Sequence, residues 1–220
     1  MTSCELCRSL LNDPHLRNAA AAVEQRFPNC HCEQFSVGDS SPGRVEDGEL
    51  LFRMFTDPID VDEDTGQVAR NAFEDGHRDG LSIIRERATD VEIELLVKDI
   101  LSVKPDKKRR TILAIFEFRC LAIRDERCTF RGDQHKAFCV YDQTVPRILE
   151  PAEAPVPTHG TIMSRRLYEL PVTRKQFQSD CNDTLFRLIT AQRRDVQTFR
   201  NGLIAGLNVR SLAGEFVRAV

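Results

Sequence analysis

Apolar positions recur along this chain in two rhythms, and the rhythms divide it into elements. ELLFRMF, residues 49–55, and GLSIIRE, residues 80–86, are short apolar runs between polar breaks, and each predicts a strand. NDPHLRNAAAAVEQRF, residues 12–27, instead puts Leu16, Ala20, Val23 and Phe27 on one helical face. Asp13 can cap that helix, Pro14 suits its first position and the alanines favour it. TDVEIELLVKDILSV, from Thr89, carries both rhythms: Val91, Ile93, Leu95 and Val97 alternate as in a strand, but Thr89 and Glu92 form a capping box, and the helical reading is adopted. RTILAIFEFRCLAIR, from Arg110, is long and rich in β-branched and aromatic residues and reads as a central buried strand. KAFCVYD, from Lys136, would be its neighbour, reached through a long hairpin over RDERCTFRGDQ. From Arg174 to Arg200, Phe177, Cys181, Leu185, Leu188, Val196 and Phe199 mark a long amphipathic helix that Asn201-Gly202 would end, with a shorter helix from Ser211.

These elements predict an α+β fold with a mixed or antiparallel sheet, a long C-terminal amphipathic helix and a small Cys-rich helical segment at the N-terminus. The expected organisation is a Cys-rich segment over 1–37, a Gly-, Ser- and Asp-containing linker or loop over 38–48, and an α+β domain over 49–220. EPAEAPVPTHG, from Glu150, must be extended, because each proline fixes its own backbone and restricts the residue before it; it is expected to cross the surface.

Composition narrows the class. With 220 residues the chain can bury a sizeable core. Its longest apolar run, TILAIF, stops at Glu117, far short of the roughly 20 residues that span a bilayer, so no membrane partner is expected. MTSCELCRSLL has neither a basic nor a long apolar region of the signal-peptide type. Eight cysteines without such a signal point to a reducing cytoplasm, with thiols or metal ligands in preference to disulfides. The net charge of −3 is unevenly spread: Glu33 to Asp64 holds ten acids against Arg44 and Arg53, and Arg165 to Val220 holds ten basic residues against five acids. Such asymmetry can steer a partner or draw the ends of one chain together.

The sharpest chemical pattern is two tight thiol pairs, Cys4 and Cys7 in CELC and Cys30 and Cys32 in CHC. Four thiolates satisfy tetrahedral zinc, and His31 could replace either member of the second pair, so Zn(2+) is the expected cofactor. The alternatives are small buried thiols or a CxxC redox pair. Cys120, Cys128, Cys139 and Cys181 stand in apolar surroundings and read as core, with Cys120, Cys128, Cys139 and His135 the next cluster to inspect. DVDEDTG spaces Asp60, Asp62 and Asp64 as a calcium loop does, but Thr65 takes the glycine position and Asn71 the final ligand position, which leaves an acidic turn around Gly66.

Lys104, Lys107, Lys108, Arg109 and Arg110 form one basic cluster, and Arg193, Arg194 and Arg200 another; neither is interleaved with aromatic residues, so nucleic acid is a lesser expectation. No GxGxxG, P-loop, GxSxG or HExxH occurs. His159, in VPTHGTI, sits in an irregular segment of the kind that carries functional side chains, and His77 in EDGHRDG reads as a turn residue. Arg53 in LFRMF, Ser82 in GLSI and Glu117 in FEF follow one another in an order that resembles some ADP-ribosyltransferases. The resemblance implies that Arg53 and Ser82 hold NAD while Glu117 polarises the ribose. The family's serine–threonine–serine run and its Gln/Glu-X-Glu are not present. Without a catalytic motif, the expected function is that of an interaction protein or complex subunit contacting another protein or itself, with an NAD-using enzyme or a nucleic-acid accessory protein as alternatives.

Overall fold

The computed structural model describes residues 3–13, 16–37, 41–101, 110–130, 132–145, 156–165 and 174–204. The helices are α1 (Ser3–Leu11), α2 (Ala19–Arg26), α3 (Asp90–Leu101), α4 (Cys120–Arg124) and α5 (Arg174–Ile189), with 3-10 turns at His31–Gln34 and Arg70–His77. The strands are β1 (Leu50–Asp57), β2 (Leu81–Arg85), β3 (Thr111–Arg119), β4 (Arg127–Phe130), β5 (Asp133–Lys136), β6 (Phe138–Val145), β7 (Val156–Ser164) and β8 (Arg193–Arg194). Six strands form one sheet in the order β6-β7-β2-β1-β3-β8, every pair antiparallel, and β4 and β5 form a separate hairpin. The chain is thus an α+β fold on an antiparallel sheet with a Cys-rich helical N-terminal segment.

Strand alternation sends side chains to two faces. On one face Leu51, Phe55, Leu81, Ile83, Phe116, Val140 and Ile162 pack against Phe73 of the second 3-10 turn and Cys181, Leu185 and Ile189 of α5. The other face is shared. Phe52, Met54, Ile84 and Ile115 meet Ile93, Leu96, Val97 and Leu101 of α3. Farther along, Cys139, Tyr141 and Met163 of β6 and β7 meet Cys7, Leu11, Ala20 and Val23 of α1 and α2.

Thr89 and Glu92 close the capping box that sets the start of α3: the Glu92 carboxylate accepts from the Thr89 amide at 2.8 Å, and the Glu92 amide donates to the Thr89 hydroxyl at 3.3 Å. Two expected elements differ. The long central strand ends at Arg119 and turns into α4, and KAFCVYD supplies not its neighbour but β6, at the far edge of the sheet. The C-terminal helix stops at Ile189 rather than Arg200: the Thr190 hydroxyl donates back to the Phe186 carbonyl, and Arg193 and Arg194 return as β8 beside β3. The apolar side of α5 lies in the sheet core. The segment expected to cross the surface delivers β7, an internal strand between β6 and β2, over residues 156–164. Pro14, His15, Lys104 to Arg109, Glu150 to Pro155 and the helix expected from Ser211 lie outside the described residues. Among the described residues no helix is long and apolar enough to cross a membrane.

Candidate functional site

The N-terminal sulfurs do not gather around an ion. Cys7 bonds to Cys32 and Cys30 bonds to Cys139, with Cα separations of 5.7 and 5.4 Å, inside the ordinary disulfide range. Cys4 keeps a free thiol near the Ser36 carbonyl. Among the described residues no group of His, Cys, Asp or Glu could hold a metal ion. This corrects the expected Zn(2+) site at Cys4, Cys7, Cys30 and Cys32. The reason is a partner 109 residues away: β6 brings Cys139 to Cys30, which breaks the local set of four. It also corrects the expected cytoplasmic setting, since disulfides form and persist in oxidising compartments. The second disulfide is part of a wider clamp on β6. The Glu33 carboxylate accepts from the Val140 amide, the Arg124 guanidinium donates to the Val140 carbonyl at 3.2 Å, and Asp142 accepts from the Val37 amide at 3.1 Å. An edge strand that would otherwise offer unpaired backbone groups is covered by the Cys-rich arm.

A different feature marks the candidate site. β1 pairs with β3 along its whole length, and β2 pairs with β7 from Leu81 to Ile84. β1 and β2 pair with each other only at Leu51 with Arg85 and Phe52 with Ile84. Beyond those two rungs the strands part, and the sheet is split like a V between Arg53 on one arm and Ser82 on the other.

Arg85 fills the closed end. Its side chain is fully buried, and all five guanidinium N–H groups have acceptors. Glu49 takes a fork at 2.8 and 2.9 Å, Asp142 is at 2.8 Å, and the carbonyls of Gly43 and Arg44 are at 2.6 and 3.0 Å. Burial opposes the charge, but hydrogen bonds and charges from Glu49 and Asp142 outweigh it and raise the Arg85 pKa. Residues 41–44, part of the segment expected as a linker or loop, are held on the sheet by this cluster.

The open end is a cavity of about 320 Å³ beneath α3, lined by Phe52, Met54, Ile84, Leu96 and Ile100 with Arg53, Ser82, Arg110 and His159 at its polar points. One Arg53 nitrogen donates to the Ser82 carbonyl at 2.9 Å, in place of the missing strand rung. Its Nε is buried and has no partner. Burial lowers the Arg53 pKa, opposed by the charges of Asp60 and Asp75. His159 projects from β7, buried at 4 % exposure, and its Nδ1 has no partner either. Burial first, and the charge of Arg53 second, push the His159 pKa down to about 3, so the ring is neutral across the physiological range.

Sequence reasoning named Arg53, Ser82 and His159 separately, and the fold brings them to one cavity. Glu117 stays apart. It faces the other edge of the sheet and is held by Arg194 of β8, at 3.0 Å from its Nε. The order Arg53, Ser82, Glu117 is therefore not a convergent triad in space. Arg110, expected in a basic cluster for phosphates, lines the cavity and donates to the Ile100 carbonyl in the last turn of α3. Sequence reading passed over Arg85 altogether, and no local pattern distinguishes it from a surface arginine. His77, expected in a turn, is buried at the end of the second 3-10 turn. In the acidic turn, Asp62 accepts from both the amide and the hydroxyl of Thr65 at 2.9 Å, and Gly66 takes a positive φ of 65°. The chain matches no protein-family model, no curated protein and no solved structure.

Proposed function

We propose that this chain is a disulfide-stapled binding domain, and that its split sheet takes a small molecule with an anionic head and an apolar body. One observation carries this reading: two buried polar atoms without partners, Arg53 Nε and His159 Nδ1, belong to side chains that line the same cavity. Buried polar groups are nearly always paired, because leaving one unpaired costs about 1–3 kcal/mol. A ligand that pairs both atoms recovers that cost on binding. Apart from Ser82 and Arg110 the remaining wall is apolar, the usual make-up of a small-molecule pocket.

Binding is favoured over turnover because the acid of the resembling order, Glu117, is engaged by Arg194 away from the cavity. A ribose held at Arg53 and Ser82 would meet no carboxylate among the residues that line it. The proposal thus replaces the expected interaction protein or complex subunit with a binder of small molecules, and keeps from it only recognition without chemistry.

The test is a thermal-shift and calorimetric screen of small carboxylates, phosphates and sulfonates with apolar bodies, together with NAD. Binding by anions of this kind that disappears in Arg53→Gln supports the reading. Hydrolysis or transfer of the ADP-ribose of NAD by the folded protein, lost in Arg53→Gln, would replace it with the enzymatic one.

A further inference from the structure

The open backbone at the split narrows the ligand class, on the assumption that the split sheet is the binding site proposed above. From one residue to the next, the amide and carbonyl of a strand turn to alternate neighbours. Just before β1 the Glu49 carbonyl accepts from the Cys120 amide at 3.0 Å, and the next carbonyl, that of Leu50, accepts from the Glu86 amide at 2.9 Å. Leu50, Phe52 and Met54 therefore turn to β2, and Glu86, Ile84 and Ser82 turn to β1. Met54 and Ser82 would form the rung after Phe52 and Ile84, but the ladder stops short of them. The Ser82 carbonyl accepts from Arg53 instead. Among the described residues no strand takes the Met54 amide, the Met54 carbonyl or the Ser82 amide. One step on, the gap is closed again: the Thr56 amide and carbonyl bond to Asp60, and the Gly80 amide bonds to the Asp75 carbonyl. Ser82 is exposed, so the open rung is reached from solvent.

These groups define a shape. The Met54 carbonyl on one arm takes a donor, and the Ser82 amide on the other takes an acceptor. A trans secondary amide points its N–H and its carbonyl in opposite directions, and so meets both arms at once. Arg53 Nε and the Met54 amide are two donors on the β1 side, suited to the two oxygens of a carboxylate. An extended amino acid carries its N–H and its carboxylate on one side, the arrangement that faces the carbonyl and amide of Met54. Residues directly opposed in a sheet share a face, and Met54 packs on the α3 face. The side chain of a residue opposite Met54 thus enters the cavity beside Leu96 and Ile100.

We infer that the split between β1 and β2 binds an N-acyl amino acid with an apolar side chain, the amide spanning from the Met54 carbonyl to the Ser82 amide, the carboxylate accepting from Arg53 Nε and the Met54 amide, and the side chain lying under Leu96 and Ile100. A plain carboxylate leaves the open rung unpaired. A longer peptide finds no further rung to pair with.

Four probes separate the requirements: N-acetylphenylalanine; 2-acetoxy-3-phenylpropionate, with an ester oxygen in place of the N–H; N-acetylphenylalaninamide, which lacks the charge; and 3-phenylpropionate, which lacks the acylamino group. Titration by calorimetry is expected to rank N-acetylphenylalanine first, with each of the others at least tenfold weaker and acetyl-alanyl-alanyl-phenylalanine no tighter. In Arg53→Gln the acid is expected to lose its advantage over the amide. Amide hydrogen exchange of the unaltered protein reads the rung directly, whether or not any variant folds. Exchange at Met54 and Ser82 is expected to slow at least tenfold when N-acetylphenylalanine saturates the site. Equal affinity for N-acetylphenylalanine and either the ester or phenylpropionate, tighter binding of the tripeptide, or unchanged exchange at Met54 and Ser82 overturns this inference and leaves the binding site standing. No binding of any probe, nor of other small anions with apolar bodies, overturns both.

Discussion

Arg85 and Arg53 lie on adjacent strands, one at each end of the same split, and the fold treats them oppositely. Arg85 is buried with every N–H matched, two carboxylates on its fork and two carbonyls beside them. Arg53 spends one nitrogen on a carbonyl that lost its strand partner and keeps a buried Nε with nothing to bind. A buried cation that is fully paired locks the elements around it. A partly buried cation with an unpaired interior N–H leaves unsatisfied capacity that a ligand can use. Arg85 is fully buried and fully paired, whereas Arg53 is partly buried and incompletely paired, and the proposed binding site rests on that incomplete pairing.

The comparison breaks most visibly at Arg85. Arg85→Met strands Glu49 and Asp142 in the interior, and removing one member of a buried ion pair costs about 3–5 kcal/mol. Urea unfolding should show that loss as a lower midpoint. Replacing all three, as Glu49→Gln, Arg85→Met and Asp142→Asn, should recover part of it. A midpoint unchanged in Arg85→Met means the cluster does not lock the closed end.

The disulfides come next, since they fasten the arm that contributes to the same cluster through Val37 and Asp142. Cys30→Ser with Cys139→Ser should cost about 2–5 kcal/mol, as loss of a native disulfide commonly does. Alkylation in denaturant followed by intact-mass measurement is the direct check. Cys4, Cys120, Cys128 and Cys181 should react without reductant, and all eight cysteines with it. Eight reacting without reductant would remove both the bridges and the oxidising compartment inferred from them.

An effect that depends on pH sits at the open end. The folded-state pKa of His159 lies near 3, below the ordinary histidine value of 6.5, so the unfolded chain takes up that proton first as pH falls. The stabilisation is complete above about pH 6.5 and drains away between there and about pH 3, at up to about 1.4 kcal/mol per pH unit. Carboxylates contribute their own slope in acid, so the measurement is the difference in unfolding free energy between the natural chain and His159→Gln from pH 7 to pH 4. A difference that does not change with pH would mean that the ring is already charged or is reached by water.

The smallest stability change is expected at Arg53. Arg53→Met gives up the Ser82 bond but also removes a buried orphan donor, and a single net hydrogen bond is worth about 1 kcal/mol. Stability should move by no more than that while ligand binding is lost. A loss as large as that of Arg85→Met would make the two arginines alike and remove the distinction between them.

Much of the secondary structure was legible because its causes are local. The Thr89–Glu92 box starts α3 where the capping rule puts it, and the LLFRMF and LSII runs became β1 and β2. Misreadings occurred where distant contacts decided. RTILAIFEFRCLAIR looks like one strand, but the Cys120 and Leu121 amides donate to the Glu49 and Asp47 carbonyls, and the chain bends into α4. VPTHG looked like exposed loop because of its prolines, yet Ile83 and Ile84 pair with Gly160 and His159 and carry it into the middle of the sheet. Of the candidate site, Arg53, Ser82 and His159 were visible as residues, but nothing in their spacing of 29 and 77 positions said that they share a wall.

By itself, the sequence determined the mixture of helices and strands, the capped start of α3 and the presence of thiols close to the amino end. These follow from periodicity, turn chemistry and residue type, which act over a few positions. Tertiary structure alone decided which sulfurs are bonded, which arginine is satisfied and where the sheet opens. Each of those is a meeting of residues 25 to 109 positions apart, and the free energy of such a contact resides in burial and pairing, which no short stretch of chain contains.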